Sequence, residues 1–130
     1  MTRYVVDSWA WIEYLEGSSS GAKVRERVSA HAKNEIFTHI VSVAEVISKV
    51  RRAGKDAEVA WSAIVNNSKI FAIAETDSKE AGLLHAKVKS RNTNFGLADA
   101  FVLAAARKLR ATVLTGDPDF ANIDEAEMLY

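Results

Sequence analysis

The sequence predicts an α/β protein, a three-layer α/β/α sandwich around a central parallel sheet of four to five strands. Three observations carry that prediction. Short apolar runs with few alternating polar residues recur along the chain, as strands buried on both faces require. Helix-length amphipathic segments separate these runs, so each strand leads into a crossover and not into a hairpin. The 130 residues, 48% hydrophobic and 26% charged, suit one globular domain, 1–130, with a full core.

The first strand is YVVD, Tyr4 to Asp7, an apolar run stopped by an acid. SWAWIEYLE, Ser8 to Glu16, opens on a serine suited to capping and places Trp11, Ile12 and Leu15 on one face, as a helix does. EGSSSG, Glu16 to Gly21, reads as a flexible loop, and AKVRERVSAHAK as a second amphipathic helix. EIFTHI, Glu35 to Ile40, is the second strand. SVAEVISKVRRAG is a helix that Gly54 terminates, and Asp56 to Asn67 continues helically. The third strand is IFAIA, Ile70 to Ala74. The helix after it opens on Asp77, with Glu80 completing an aspartate version of a capping box, and runs to about Arg91. SRNTNFG is a polar loop, LADAFVLAAARKLR a largely apolar helix, and ATVL, Ala111 to Leu114, the fourth strand; AEMLY at the C-terminus is a possible fifth.

Composition narrows the chemistry. With no cysteine there is no disulfide framework, thiolate metal site or cysteine nucleophile. No apolar run approaches the ~20 residues of a bilayer span, and the N-terminus lacks the apolar core and cleavage site of a signal peptide, so the expected location is cytoplasmic. Net charge is zero, which argues neither for nor against nucleic acid. The cationic clusters at Lys49 to Lys55, Lys87 to Arg91 and Arg107 to Arg110 each fall at an expected helix end, where they complement the helix dipole. His31, His39 and His85 show no metal-ligand spacing and read as packing or surface residues.

Acids stand in unusual places. Asp7 ends the first strand, and Asp117 follows the fourth in VLTGDPDF; Glu45 lies in an apolar helix and Asp99 in another. Each has a local explanation. Ser42 and Glu45 have capping-box spacing, Asp99 suits a first helical turn, Asp117 and Asp119 flank Pro118 as turn formers, and Asp7 can cap a helix. None of these explains why four acids converge on one edge of one sheet. If strands one and four are neighbours where the strand order reverses, that edge is the ligand crevice of an open parallel sheet. Buried carboxylates without partners are costly. A hard divalent cation, Mg²⁺ or Mn²⁺, offsets that cost with oxygen ligands alone, and such sites serve phosphodiester hydrolysis.

The whole chain resembles the PIN-domain family, and in size and motif order a VapC-type toxin of a prokaryotic toxin–antitoxin pair. The matching segments are VVDSWAWIEYL, VSVAEV, LADAFVLAAA and LTGDPDF, in that order. The resemblance implies metal ligation and catalysis by Asp7, Glu45, Asp99 and Asp117, with Asp119 a further ligand. Ser8 and Thr115 would orient ligands or water. It further implies a Mg²⁺- or Mn²⁺-dependent endoribonuclease, a homodimer and a cognate antitoxin. Trp9 departs from the small or polar residue common there in relatives; it either packs in the core, crowds the site or stacks on a base. Apolar surface at Trp11, Ile12, Tyr14, Leu15 and Val59 to Val65 is expected to serve the dimer and an antitoxin groove. A catalytically silent scaffold that binds RNA or a protein is the alternative. An aspartyl-phosphate phosphatase would want a second acid at Trp9, and a phospho-receiver an aspartate where Glu75 stands.

Overall fold

In a computed structural model describing residues 1–130, five strands form one parallel sheet in the order β3-β2-β1-β4-β5. These are β1 (Thr2–Val6), β2 (Asn34–His39), β3 (Lys69–Phe71), β4 (Thr112–Thr115) and β5 (Ala126–Met128). Six helices connect them: α1 (Ser8–Glu16), α2 (Ser19–Ser29), α3 (Ile40–Arg52), α4 (Ala57–Asn67), α5 (Glu75–Lys89) and α6 (Leu97–Leu109). The predicted class and layering hold, and the fifth strand is real. Strand order reverses between β1 and β4, where Val5 pairs with Val113 and Val6 with Leu114.

Alternation along these central strands builds the two cores. Val6 and Leu114 point into a cluster with Trp11, Val24, Val28, Val46 and Ile64, under α1 to α4. Their neighbours Val5 and Val113 point the other way, into Leu84, Val88, Phe95, Leu103 and Phe120, under α5 and α6. Complete burial of each large aliphatic side chain contributes about 1.5–3 kcal/mol, so the central pair of strands anchors both layers. Trp11 is fully buried, and its indole N–H donates to Thr38 Oγ1 at 3.0 Å. Gly21 lets α2 cross α1 closely, since a Cβ there would lie 2.0 Å from the Glu13 carbonyl oxygen.

Helix starts depart from the sequence reading because capping depends on which side chain reaches the free N–H groups. Asp7, not Ser8, caps α1. Ser18 accepts from the Gly21 N–H at 3.0 Å, which draws part of the expected serine loop into α2; that helix ends at Ser29, four residues early. His39 Nδ1 accepts from the Val41 N–H, so α3 begins at Ile40; Ser42 is buried inside it and forms no capping box with Glu45. Asp77 is likewise inside α5, and accepts from the Ala74 N–H at 2.8 Å and from Lys108 Nζ at 3.0 Å. The third strand is correspondingly shorter than expected. His39 is wholly buried between the Phe71 and Phe101 rings, and burial pushes its imidazole pKa down.

The apolar surface also differs from expectation. Trp11 and Ile12 are buried, and Tyr14 packs beneath the Arg25 guanidinium, so α1 presents little of the predicted stripe. On α4, Val59 and Trp61 are 59% and 45% exposed, whereas Ala60 and Ile64 are core. A groove of about 200 Å³ runs between α1, α3 and α4, lined by Leu15, Val50 and Val59 among others.

Candidate active site

The reversal of strand order leaves a crevice beyond the carboxyl ends of β1 and β4. The Asp7 N–H donates to the Leu114 carbonyl at 3.3 Å, fixing the two strand ends together. Asp7 is 5% exposed; one carboxylate oxygen accepts from the Ala10 N–H at 2.9 Å and the other from the Thr115 hydroxyl. Burial pushes its pKa up to about 7, with Asp117 and Asp99 adding repulsion and the two hydrogen bonds opposing.

Thr115 links the two ends of the site. Its hydroxyl donates to Asp7 and accepts from the Asp117 N–H at 3.0 Å. Asp117 then accepts from the Asp119 N–H at 2.9 Å and caps the 3₁₀ turn Pro118–Phe120, whose Phe120 is anchored edge-on against Phe95. The stretch LTGDPDF is therefore a genuine turn. It is also what carries two carboxylates into the crevice.

Asp99 arrives from the first turn of α6, where it accepts from the Gly96 N–H at 2.9 Å. Oxygens of Asp99, Asp117 and Asp119 all lie within 4.8 Å of one another. Burial first, then the Asp117 and Asp119 charges, raise Asp99 to about 7 against the opposing Gly96 hydrogen bond. Asp119 is raised by burial and then by Asp117, while Asp99 and Lys89 oppose. Glu45 stands at the rim, exposed as a residue. Partial desolvation of its carboxyl raises its pKa, with Ser8 opposing and Asp117 adding. Asp117 thus acts on all four other acids. None of the five forms an ion pair with a cation.

The structure brings Asp99, Asp117 and Asp119 into the tightest group, sets Asp7 beside it and leaves Glu45 outermost. Three features were not legible in the sequence. Asn92 of the SRNTNFG loop donates to the Asp119 carbonyl at 3.0 Å, Lys89 acts on Asp119, and Trp9 covers Gly116. A Cβ on Gly116 would lie 2.3 Å from the Trp9 ring, so this glycine is required for space. Gly116→Ala is expected to cost about 1–3 kcal/mol through overpacking, and Trp9→Leu in the same protein to recover most of it. Chemical denaturation of the three variants checks this; an unperturbed Gly116→Ala protein would refute the contact.

The fold is that of the open parallel α/β proteins, which bind ligands at the switch point beyond the carboxyl ends of their strands, and here carboxylates line that edge. The PIN domain family model matches residues 4–126, and the chain belongs to that family. No curated protein matches it. Among solved structures, it is similar to a chain of a toxin–antitoxin complex from Klebsiella pneumoniae, at 19% identity over 100% of this chain and 98% of that one, with TM-score 0.72. It is also similar to DNA-bound VapBC from Salmonella typhimurium (15% identity, 100% of each chain, TM-score 0.77). A third is Mycobacterium tuberculosis VapC20, a sarcin–ricin loop cleaving toxin (15% identity, 95% of each chain, TM-score 0.74). At these identities the likeness is one of fold.

Proposed function

We propose that the protein is a Mg²⁺- or Mn²⁺-dependent endoribonuclease, the toxin of a toxin–antitoxin pair, with the whole chain as one PIN unit. The observation that carries the reading is the Asp99, Asp117 and Asp119 group, three carboxylates within 4.8 Å and without a cationic partner, on a family-matched fold. Two solved structures of the same fold, named as a toxin and as a toxin–antitoxin complex, support the biological half.

The residues fit a hard divalent ion. Carboxylates held near pKa 7 by burial and mutual repulsion are poor isolated anions but good oxygen donors to a dication. Asp99, Asp117 and Asp119 would hold it, with Asp7 beside them and Glu45 at the rim completing the set. When bound, the ion activates water, polarises the phosphate and stabilises the leaving oxygen. Thr115 holds the Asp7 carboxylate in place and ties it to the Asp117 backbone, so the two move as one. Ser8 lies near enough to Glu45 to favour its charged form. Cleavage of cellular RNA with Mn²⁺, abolished by a chelator, tests this reading; cleavage that survives the chelator would refute metal dependence.

The exposed Val59 and Trp61 on α4 and the adjoining groove support a homodimer and an antitoxin segment laid along α1, α3 and α4. Light scattering is expected to return twice the 14.3 kDa chain mass, with Trp61→Glu shifting it toward the monomer. A wild-type monomer would count against the dimer. No helix is long and apolar enough to cross a membrane, and a cytoplasmic location belongs to this same proposal.

A further inference from the structure

Beside the acidic crevice lies a second cleft of about 400 Å³, and Asp119 belongs to both. Its floor is apolar, from Val88 and Ile123, and its rim carries Arg91, Asn92 and Asn122. The polar side chains differ in what they are free to do. Asn92 is spent on the fold, since its amide donates to the Asp119 carbonyl and its oxygen accepts from the Asn94 N–H. Lys89 ties its ammonium to the Thr93 carbonyl at 2.8 Å. Arg91 is exposed, is the one cation lining the cleft, and takes part in no ion pair. Its backbone is nonetheless fixed, because its N–H donates to the Val88 carbonyl at 2.9 Å as α5 ends. The cleft therefore presents an unpaired guanidinium on a fixed backbone, over a small apolar floor of Ile123 and the edge of the core residue Val88, next to an acid of the candidate centre.

We propose that this cleft is a nucleotide subsite, in which Arg91 holds the phosphate next to the one cleaved and the Val88 and Ile123 floor receives its base. The proposal rests on the ribonuclease reading for which phosphate is cut. A guanidinium grips a phosphate through two parallel N–H bonds, which an ammonium does not reproduce. An acidic crevice repels a polyanion, so a cation at one flank both attracts the strand and sets the direction in which it leaves. Asn92 is a positioning residue here, holding the turn that bears Asp119 against the loop that bears Arg91.

The test measures binding of a short, mixed-sequence single-stranded RNA to the Asp7→Asn protein across a salt series with Mg²⁺ present. Adding Arg91→Gln is expected to weaken binding roughly tenfold at low salt and to reduce the slope of log K against log salt by about 0.7, the loss of one single-strand phosphate contact. Arg91→Lys should keep the slope, and Arg51→Gln, at the far end of α3, should leave both quantities unchanged. In the active protein, Arg91→Gln should raise KM while largely sparing kcat. An unchanged slope, an equal loss from Arg51→Gln, or no RNA binding at all would overturn the subsite. RNA cleavage by wild type alongside an unchanged slope would overturn the subsite alone. A reduced slope in a protein that cuts no RNA would keep the subsite and refute the nuclease reading.

Discussion

Asp7→Asn is expected to lower metal-dependent RNA cleavage by at least about a hundredfold, the scale on which losing one group that stabilises developing charge acts, while making the metal-free protein more stable. The two effects share a cause. Asparagine keeps the oxygen that accepts from the Ala10 N–H, and so keeps the cap of α1, and its amide N–H can donate to the Thr115 hydroxyl in place of the bond received from it. It removes a buried charge whose protonation is already favoured by burial and by the Asp117 and Asp99 charges. Asp99→Asn should behave alike, since its oxygen can still accept from the Gly96 N–H. Asp77→Asn is the contrasting control. Its carboxyl is held below the usual range by the Ala74 N–H and then Lys108, so neutralising it should destabilise the fold and leave cleavage intact. Cleavage assays paired with thermal melts check all three. Full activity in either crevice variant would refute the mechanism, and a crevice variant less stable than wild type would refute its electrostatic basis.

The metal-free protein is expected to lose stability as pH rises from about 4 to about 7, the reverse of ordinary acid denaturation. The sign follows from Asp7 and Asp99, whose folded pKa values stand near 7 against an ordinary 3.8. Between those values the folded protein keeps protons that the unfolded chain has released, so each increment of pH favours unfolding, and the penalty is complete above about 7. For Asp7 alone it is on the order of a few kcal/mol, since one pKa unit is about 1.4 kcal/mol. Mn²⁺ at about pH 8 should reverse the loss, by about 2.7 kcal/mol at a hundredfold excess over Kd, which moves Tm upward by several degrees. Near pH 5 protons compete and the increment should shrink. Because Asp117 repels all four other acids, Asp117→Asn should raise metal-free stability near pH 8 and reduce the Mn²⁺ increment. Equal increments in variant and wild type would show that Asp117 holds no ion.

The chain by itself determined which segments are strands and helices, and that acids end or follow the strands that border one edge. Those properties are local. The apolar runs YVV and TVL demand burial on both faces, and helical periodicity between them demands parallel crossovers. The four family motifs in order likewise marked Asp7, Glu45, Asp99 and Asp117, without distances between them. Only the tertiary structure decided how those acids share space. Strand order β3-β2-β1-β4-β5 sets β4 beside β1, and the turn capped by Asp117 swings Asp119 into the tightest group while Glu45 stays at the rim. It also decided that Ser42 is buried and not a cap, because His39 reaches the free N–H of α3 first. The cluster Lys87 to Arg91 reads as a dipole complement in sequence, and Lys87 and Lys89 do fall in the last turn of α5. Its nearness to Asp119 arises from the bond between Asn92 and the Asp119 carbonyl across 27 positions. Periodicity reports the face a residue turns to; which distant residue it meets there is set by packing between layers, where close approaches such as Trp9 over Gly116 leave no mark in local pattern.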